Sequence, residues 1–385
     1  MTALRAGVAG LGTMGRHHAR VLATLPGVRL VGACDPDPGA ARHAVAGLPV
    51  FEDLDRLLAL GLDICVVAAP TLAHAGIGTR LAEAGVHTLI EKPLAASAEE
   101  GRALAAAFER AGLVGCVGHI ERFNPVIRAL RERIARGEIG TVLQVATSRQ
   151  GPYPRRIRDV GVILDLASHD IDLTRWITGS PYLKVSAVTN RVVGGSSHED
   201  LAAVAGVLED GTVVSHLVNW LSPVKERLVT VTGELGSLRG DLLAPALRLH
   251  RHDRGCAPGG RAGAGPVADG RGVACELAVH EPLKAELEGF VAAVRGRADH
   301  IVPLQAGVEV MDVTSAILSA PRVGVEVPHG GRADAAPQGS AAVAVVPPRT
   351  GEDDAAPAQA PAVSYGGLPV LVAGYVPALN SRRFF

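Results

Sequence analysis

The residue pattern Gly10-Leu-Gly12-Thr-Met-Gly15 follows an apolar run, precedes a helical pattern and has the composition of a phosphate-binding turn. Glycines there permit a tight turn and bring backbone N–H groups close to a pyrophosphate at the positive N-terminus of the helix. Asp35 ends the next apolar run, 20 residues after Gly15, where a carboxylate can bind an adenosine ribose and repel a 2′-phosphate. The pattern predicts an NAD site and disfavours NADP, although Arg42 lies nearby; a glycine-rich turn without a ligand is the alternative.

A second candidate is Glu91-Lys92-Pro93, which follows the apolar run 88–90. In a parallel sheet, ligands bind beyond the carboxyl ends of the strands, so we expect Lys92 to project into that cleft. An ammonium group there can hydrogen-bond a hydroxyl that is being oxidised and stabilise the developing alkoxide. The alternative is an ordinary surface lysine before a turn-forming proline, and this motif alone favours that alternative.

The helical pattern over 162–177 carries polar residues in an otherwise apolar segment. Asp165, His169 and Asp172 are spaced by four and three residues, so a regular helix would place them on one face. We interpret His169 as an acid/base group whose orientation and charge a carboxylate tunes. A helix-surface ion pair and a zinc site are the alternatives. No second His or Cys is spaced to complete a zinc site, so no metal is predicted.

Two kinds of sheet are needed to position these residues. Apolar runs alternate with helical patterns in the first 120 residues, which predicts a parallel sheet covered on both faces; the runs are 6–9, 30–34, 64–68, 88–90 and 114–117. Beyond about residue 140, strand patterns follow one another directly, and Glu209-Asp-Gly211 forms a hairpin turn, which predicts an antiparallel sheet in an α+β domain. The predicted domains are 1–122, 123–320 and an Ala/Pro-rich linker with an apolar end, 321–385.

Composition limits the classes of function. The 385 residues have a formal net charge of −1 and 3% aromatic side chains, which excludes a basic, base-stacking surface for nucleic acid. Apolar runs fall short of the roughly 18 residues that suggest a membrane span. Five cysteines without a C-x-x-C pair argue against a disulfide framework and favour a reducing cytoplasm. The last 21 positions hold four aromatic residues, so we expect the tail to dock on its own chain or a partner.

Four motifs in this order resemble the glucose-fructose oxidoreductase / inositol dehydrogenase / rhizopine-catabolism (Gfo/Idh/MocA) family: the glycine-rich turn, Ala68-Ala-Pro-Thr71 with His74, Glu91-Lys-Pro93, and Asp165 with His169. The resemblance covers about residues 4–320. It implies an α/β protein in which a Rossmann domain with a parallel sheet precedes an α+β domain with an open, mainly antiparallel sheet. It also implies that Lys92, Asp165 and His169 are catalytic, with His169 taking the substrate proton. The implied NAD-binding residues are Gly10, Gly12, Thr13, Met14, Gly15, Asp35, Pro70, His74, Glu91 and Lys92.

The segments Gly118-His-Ile-Glu-Arg-Phe-Asn-Pro125 and Gly151-Pro-Tyr-Pro-Arg-Arg-Ile-Arg-Asp-Val-Gly161 are similar to the branch of this family that oxidises the C3 hydroxyl of nucleotide sugars. Three guanidinium groups just before the catalytic helix suit a diphosphate, and a solvated basic loop is the alternative. The expected substrate-binding residues are His119, Arg122, Asn124, Arg155, Arg156, Arg158 and Asp172.

We therefore expect an NAD-dependent dehydrogenase that acts on CH–OH groups. Its expected reaction oxidises C3 of a UDP-N-acetylglucosamine- or UDP-glucose-type nucleotide sugar to a 3-keto sugar for amino-sugar biosynthesis. An inositol or free-sugar dehydrogenase of the same family is the alternative, and a non-catalytic NAD-sensing regulator is a second one. The expected partners are the nucleotide sugar, an aminotransferase in the same pathway, and further copies of this chain in a homodimer or homotetramer. Neither nucleic acid nor a membrane is expected as a partner.

Overall fold

The computed structural model describes residues 2–40, 44–154, 160–193, 198–252, 272–297 and 300–319. These residues belong to the first of two compact units, 1–325, and the second unit is 326–385. The predictions for Arg42, for Arg155, Arg156 and Arg158, and for the tail 321–385 lie outside the described residues.

The first sheet has six parallel strands in the order β3-β2-β1-β4-β5-β6. The strands are β1 Leu4–Ala9, β2 Val28–Cys34, β3 Val50–Phe51, β4 Ile64–Val67, β5 His87–Glu91 and β6 Gly115–Gly118. All four residues of β4 are buried, as expected for a parallel strand with helices on both faces. The predicted parallel sheet is confirmed. The prediction missed β3, which is only two residues long.

Four helices connect these strands: α1 Thr13–Leu22, α2 Leu54–Leu58, α3 Thr71–Glu83 and α4 Ala98–Arg110. The helical pattern of the sequence begins at Arg16, but helix α1 begins three residues earlier, at Thr13, so the glycine-rich turn leads directly into its first turn. The sequence Ser97-Ala-Glu-Glu100 is a capping box and predicts the start of α4, and in the structure the Ser97 hydroxyl accepts a hydrogen bond from the backbone N–H of Glu100.

The second sheet has eight strands in the order β14-β13-β12-β11-β7-β10-β9-β8. The strands are β7 Val142–Pro152, β8 Tyr182–Asn190, β9 Leu201–Leu208, β10 Val213–Asn219, β11 Leu221–Gly233, β12 Gly236–Asp241, β13 Ala246–Arg251 and β14 Val273–Ala274. All its pairings are antiparallel except that of β7 with β10. The mainly antiparallel sheet is confirmed. Strands β12 to β14 were not predicted.

One face of the second sheet packs against helices. A 3₁₀ turn at Ile120–Phe123 leads into α5 Pro125–Ala135, and a π-helical turn at Ile163–Ala167 leads into α6 Ser168–Thr178. Residues Val229 and Val231 of β11 are buried on this inner face, whereas the alternating residues Leu228 and Thr230 line the outer face. The alternation follows from the two-residue period of a strand.

The last two helices, α7 Pro282–Val294 and α8 Leu304–Ser319, return to the first sheet. Leu287 and Phe290 of α7 share a core with β1, β4 and α1, and Val308 of α8 shares the core on the opposite side of that sheet. The sequence prediction had grouped both helices with the second sheet. No helix among the described residues is long and apolar enough to cross a membrane.

Candidate active site

The glycine-rich turn needs its glycines for two different reasons. A Cβ on Gly10, whose φ is +92°, would lie 2.6 Å from the carbonyl oxygen of Ala68, and one on Gly15 would lie 1.8 Å from the carbonyl oxygen of Gly10. These two glycines are required for packing within the chain. A Cβ on Gly12 would meet no atom within 4 Å, so Gly12 borders open space at the start of α1.

The N-terminus of α1 has the features of an anion site. No side chain caps this helix, and its first turn holds no acidic residue. Asp35 supports the turn, because its Oδ2 accepts a hydrogen bond of 2.7 Å from the backbone N–H of Leu11 and its Oδ1 accepts one of 2.9 Å from Asp37. The free N–H groups and the open space at Gly12 fit a pyrophosphate, and Asp35 ends β2 where the ribose hydroxyls of NAD would lie.

Lys92 lies at the carboxyl end of β5 and connects the two sheets of the molecule. Its Nζ donates hydrogen bonds to Oδ1 of Asp165 at 3.0 Å and to the backbone carbonyl of Asp165 at 2.9 Å. The Lys92 and Asp165 side chains are 15% and 19% exposed, so both are largely shielded but still reach solvent. The structure thus brings together two of the three predicted catalytic residues.

The Asp165 side chain projects from the π-helical turn Ile163–Ala167, and His169 is the second residue of α6. The prediction of one regular α-helix over 162–177 is therefore wrong in its first part. A π turn is wider than an α turn, and such turns occur frequently at functional sites. The Ser168 hydroxyl donates to the carbonyl of Leu164, four residues earlier, where the π turn joins α6.

His169 has no carboxylate partner among the described residues, which corrects the expectation of a carboxylate-tuned histidine. Its Nδ1 is buried and accepts or donates no hydrogen bond there. Asp165 is instead bound by Lys92, and Asp172 by Arg122, because permanently charged donors compete better for a carboxylate. Burial first, and then the charge of Lys92, hold the pKa of His169 well below its ordinary value. The imidazole is therefore neutral at neutral pH and can accept a proton.

The predicted sugar-binding residues His119, Arg122 and Asp172 also lie together. Arg122 donates two hydrogen bonds to the Asp172 carboxylate, at 2.8 and 2.6 Å, and Nδ1 of His119 lies 4.0 Å from Oδ2 of Asp172. Burial lowers the pKa of His119, despite the nearby Asp172. The side chain of Asn124 caps the N-terminus of α5, because its Oδ1 accepts a hydrogen bond of 3.0 Å from the backbone N–H of Val126.

Two buried histidines, His18 and His74, contact the loops around Lys92. The sequence analysis named His74 as an NAD-binding residue and did not identify His18. Nε2 of His18 on α1 donates to Oε1 of Glu91 at 2.7 Å. Burial alone would raise the pKa of Glu91, but the hydrogen bond from His18 and the charge of Lys92 lower it. The two ring nitrogens of His74 lie 2.8 Å from the carbonyl oxygens of Pro93 and Ala69. Glu91 and His74 therefore contact protein groups that fix the Lys92 loop.

Sequence reasoning also missed a buried ion cluster beneath α6. Arg149 on β7 donates to Glu121 of the 3₁₀ turn at 2.8 Å and to Asp170 of α6 at 3.1 Å. All three side chains are nearly inaccessible to solvent. The position of Arg149 among the inward-facing residues of β7 was the one signal that could have revealed it.

The comparisons with known proteins agree with this geometry. A model described as "Oxidoreductase family, NAD-binding Rossmann fold" matches residues 4–119, and one described as "GFO/IDH/MocA C-terminal domain" matches residues 127–239. UDP-N-acetylglucosamine 3-dehydrogenase of Acidithiobacillus ferrooxidans is 31% identical over 76% of this chain and 90% of its own length. The chain belongs to the Gfo/Idh/MocA family. As a member, it is an NAD-binding dehydrogenase that acts on CH–OH groups.

Solved structures extend the similarity to the fold of this family. The Acidithiobacillus enzyme, as the crystal structure named GnnA, covers 82% of this chain and 97% of its own with a TM-score of 0.72 and 30% identity. GenD2 from gentamicin A biosynthesis, solved in complex with NAD, covers 83% and 94% with a TM-score of 0.68 and 27% identity. The scyllo-inositol 2-dehydrogenase (NAD(+)) of Bacillus subtilis is 33% identical over 48% of this chain and 56% of its own length.

Proposed function

We propose that this member of the Gfo/Idh/MocA family oxidises the C3 hydroxyl of a UDP-N-acetylglucosamine- or UDP-glucose-type nucleotide sugar to a 3-keto sugar. The contact of Lys92 with Asp165 beside a neutral His169, at the carboxyl end of the Rossmann sheet, is the observation that carries the proposal. The similarity to UDP-N-acetylglucosamine 3-dehydrogenase over 90% of that enzyme's length supports the choice of substrate class.

In the proposed reaction, NAD held at the glycine-rich turn would supply the acceptor for the hydride of the carbinol carbon. The chain itself handles the proton and the charge. An ammonium group has three donors, and Lys92 uses two of them on the carboxylate and the carbonyl of Asp165. Its third N–H is available for the substrate oxygen and stabilises the alkoxide as it forms. The neutral imidazole of His169 accepts the hydroxyl proton.

The 3-keto product defines the class of reaction expected next. A ketone on a sugar ring is the substrate that an aminotransferase converts to an amino sugar, so we propose an aminotransferase as the pathway partner. We also propose that the chain assembles into a homodimer or homotetramer through the outer face of the second sheet. That face exposes apolar side chains, among them Val188, Val213 and Leu217.

Inositol oxidation is the second candidate, because the scyllo-inositol dehydrogenase of Bacillus subtilis has slightly higher identity over its shorter match. A substrate panel separates the two. The purified chain is given NAD with UDP-N-acetylglucosamine, UDP-glucose, myo-inositol, scyllo-inositol and free sugars, and reduced-cofactor absorbance is followed. We expect turnover with a nucleotide sugar. Turnover with an inositol or a free sugar alone would contradict the proposal and establish the second candidate.

A further inference from the structure

Arg227 occupies an inward-facing position of β11, next to the part of the strand that is buried in the core. The inward positions of the strand are occupied by the buried Val231 and Val229 and then by Arg227. In the sheet register Arg227 lies directly opposite Arg149 of β7, so both side chains point to the helix-covered face. A charged side chain at a core-facing position of a strand needs partners, since unpaired charge is costly to bury.

The two arginines differ in how their donors are used. The Arg149 side chain is 2% exposed and is bound by both Glu121 and Asp170. The Arg227 side chain is 40% exposed, and among the described residues its one side-chain hydrogen bond goes from Nη1 to Oε1 of Glu121 at 3.3 Å. A guanidinium has five N–H donors, so Arg227 keeps most of its donors for groups from outside the chain.

Arg227 also lies within electrostatic reach of the catalytic residues. The charge of Arg227 contributes to the lowered pKa of His169, after burial, Lys92, Arg149 and His119. In return, Asp165 is among the carboxylates that raise the pKa of Arg227, although burial and Arg149 lower it overall. The contacts agree with this, because Arg227 shares Glu121 with Arg149, and Arg149 also binds Asp170, the residue next to His169.

We propose that Arg227 is a substrate-binding residue that donates hydrogen bonds to an uncharged oxygen on the sugar ring and so orients the ring against His169. The inference rests on the proposed oxidation of a sugar. The acceptor is expected to be uncharged, a hydroxyl or an amide carbonyl, because Glu121 and Asp170 supply two carboxyl groups to the two guanidinium groups. Glu121 acts as a positioning residue, because one carboxylate oxygen contacts both arginines.

The test compares Arg227→Gln and Arg227→Lys with Arg239→Gln in the full chain. Arg239 is an exposed arginine of the adjacent strand β12 and lines the outer face. Each variant is assayed with a nucleotide sugar whose sugar ring is uncharged and that the wild-type protein oxidises, and the affinity for NAD and the melting temperature are measured in parallel. We expect Arg227→Gln to raise KM for the sugar about tenfold or more, with NAD affinity and melting temperature nearly unchanged. Arg227→Lys should recover part of that loss, and Arg239→Gln should behave as wild type.

Other outcomes have distinct meanings. If Arg227→Gln lowers the melting temperature and leaves KM unchanged, Arg227 supports the ion cluster only and the inference is wrong. The panel is extended with a UDP-sugar that carries a carboxylate on the ring, and if wild type oxidises only that compound, the uncharged acceptor is wrong. If wild type oxidises no member of the panel, the proposed function fails, and this inference fails with it.

Discussion

At the scale of single residues, the two carboxylates of the site, Asp165 and Asp172, are each bound by a cation. Lys92 is bound to Asp165, and Arg122 is bound to Asp172. His169 has no such partner among the described residues, and burial and the charge of Lys92 favour its neutral form. A neutral imidazole is the protonation state that a general base needs before it accepts the proton of a hydroxyl.

Substitution of Lys92 or of His169 should lower turnover and leave NAD binding nearly unchanged. We expect Lys92→Met and His169→Ala each to lower kcat about 10²–10⁴-fold, since each removes a group that acts on the reacting oxygen. The affinity for NAD, measured by calorimetry, should change little. Lys184→Met, at an exposed position of β8, is the control. Unchanged kcat in both site variants would refute the assignment.

Glu286 on α7 is a buried acid whose protonation state can be tested through the stability of the protein. Both of its carboxylate oxygens are buried without a hydrogen-bond partner among the described residues, and burial followed by Glu91 raises its pKa well above the ordinary 4.5. The unfolded chain therefore releases this proton first, and the stability of the wild-type protein falls as the pH rises above that value.

Glu286→Gln should therefore raise the free energy of unfolding at about pH 8, by an amount of the order of 1–3 kcal/mol. The gain should shrink as the pH is lowered through 4.5 and vanish below it, where Glu286 is protonated in both the folded and the unfolded state. Urea denaturation at several pH values measures it. Glu288→Gln, at an exposed position of the same helix, should show no such trend. An advantage of Glu286→Gln that is independent of pH would contradict the neutral buried acid.

The sequence alone predicted Lys92, Asp165 and His169, because motif, strand end and helical spacing are local signals. It did not reveal the partners of these residues. His18 and Glu91 are 73 residues apart in the chain. Glu121 is 28 residues from its partner Arg149 and 106 residues from its partner Arg227. Pairs at such separations are created by the packing of sheets and helices, which no local pattern encodes.

At the scale of elements, the start of α4 and one hairpin turn were predictable, because capping and glycine geometry are local signals. The cap at Ser97 and the hairpin turn at Gly211, whose φ is +88°, were both recognised from the sequence. The π-helical turn Ile163–Ala167 was not, because its residues fit an α-helical pattern equally well. Strands β12 and β13 follow an already long antiparallel series with no distinct signal, and β3 is too short to show one.

The glycine-rich turn before α1 gives a matched pair of substitutions. Gly12→Ala meets no atom of the chain, so we expect an unchanged melting temperature and an affinity for NAD lowered about tenfold or more by the blocked approach of the pyrophosphate. Gly15→Ala places a Cβ 1.8 Å from the carbonyl oxygen of Gly10, so it should destabilise the fold by about 3 kcal/mol. Calorimetry and thermal denaturation measure both effects. Wild-type NAD affinity in Gly12→Ala would contradict the proposed site.

At the scale of the whole molecule, two sheets share the functions of the protein. The parallel sheet supplies the NAD site and Lys92, and the helices on the inner face of the second sheet supply Asp165 and His169. The outer face of the second sheet is not needed for this chemistry. In the sheet register Val188, Ala203 and Leu217 form a row across it, and Val188 and Leu217 are 70% and 40% exposed.

We expect this outer face to form an interface between copies of the chain, because large exposed apolar patches on a sheet mark contact sites. The double substitution Val188→Asp with Leu217→Asp should reduce the assembly to a smaller species in size-exclusion chromatography with light scattering. The exposed Leu72 of α3 provides the control, and Leu72→Asp should leave the mass unchanged. If the double variant keeps the mass of the wild-type protein, as the Leu72→Asp control should, this face is not the interface.

The proposed reaction makes a claim about one atom, the hydrogen on C3 of the sugar. The chain is incubated with NAD and a UDP-N-acetylglucosamine that carries deuterium only at C3, and the reduced cofactor and the sugar product are analysed by mass spectrometry. Transfer of the deuterium to the nicotinamide, together with a 3-keto sugar, is the result expected from Lys92 and His169 acting at that carbon. Reduced cofactor without deuterium, or no reduction either with this substrate or with UDP-glucose deuterated at C3, would contradict the proposed function.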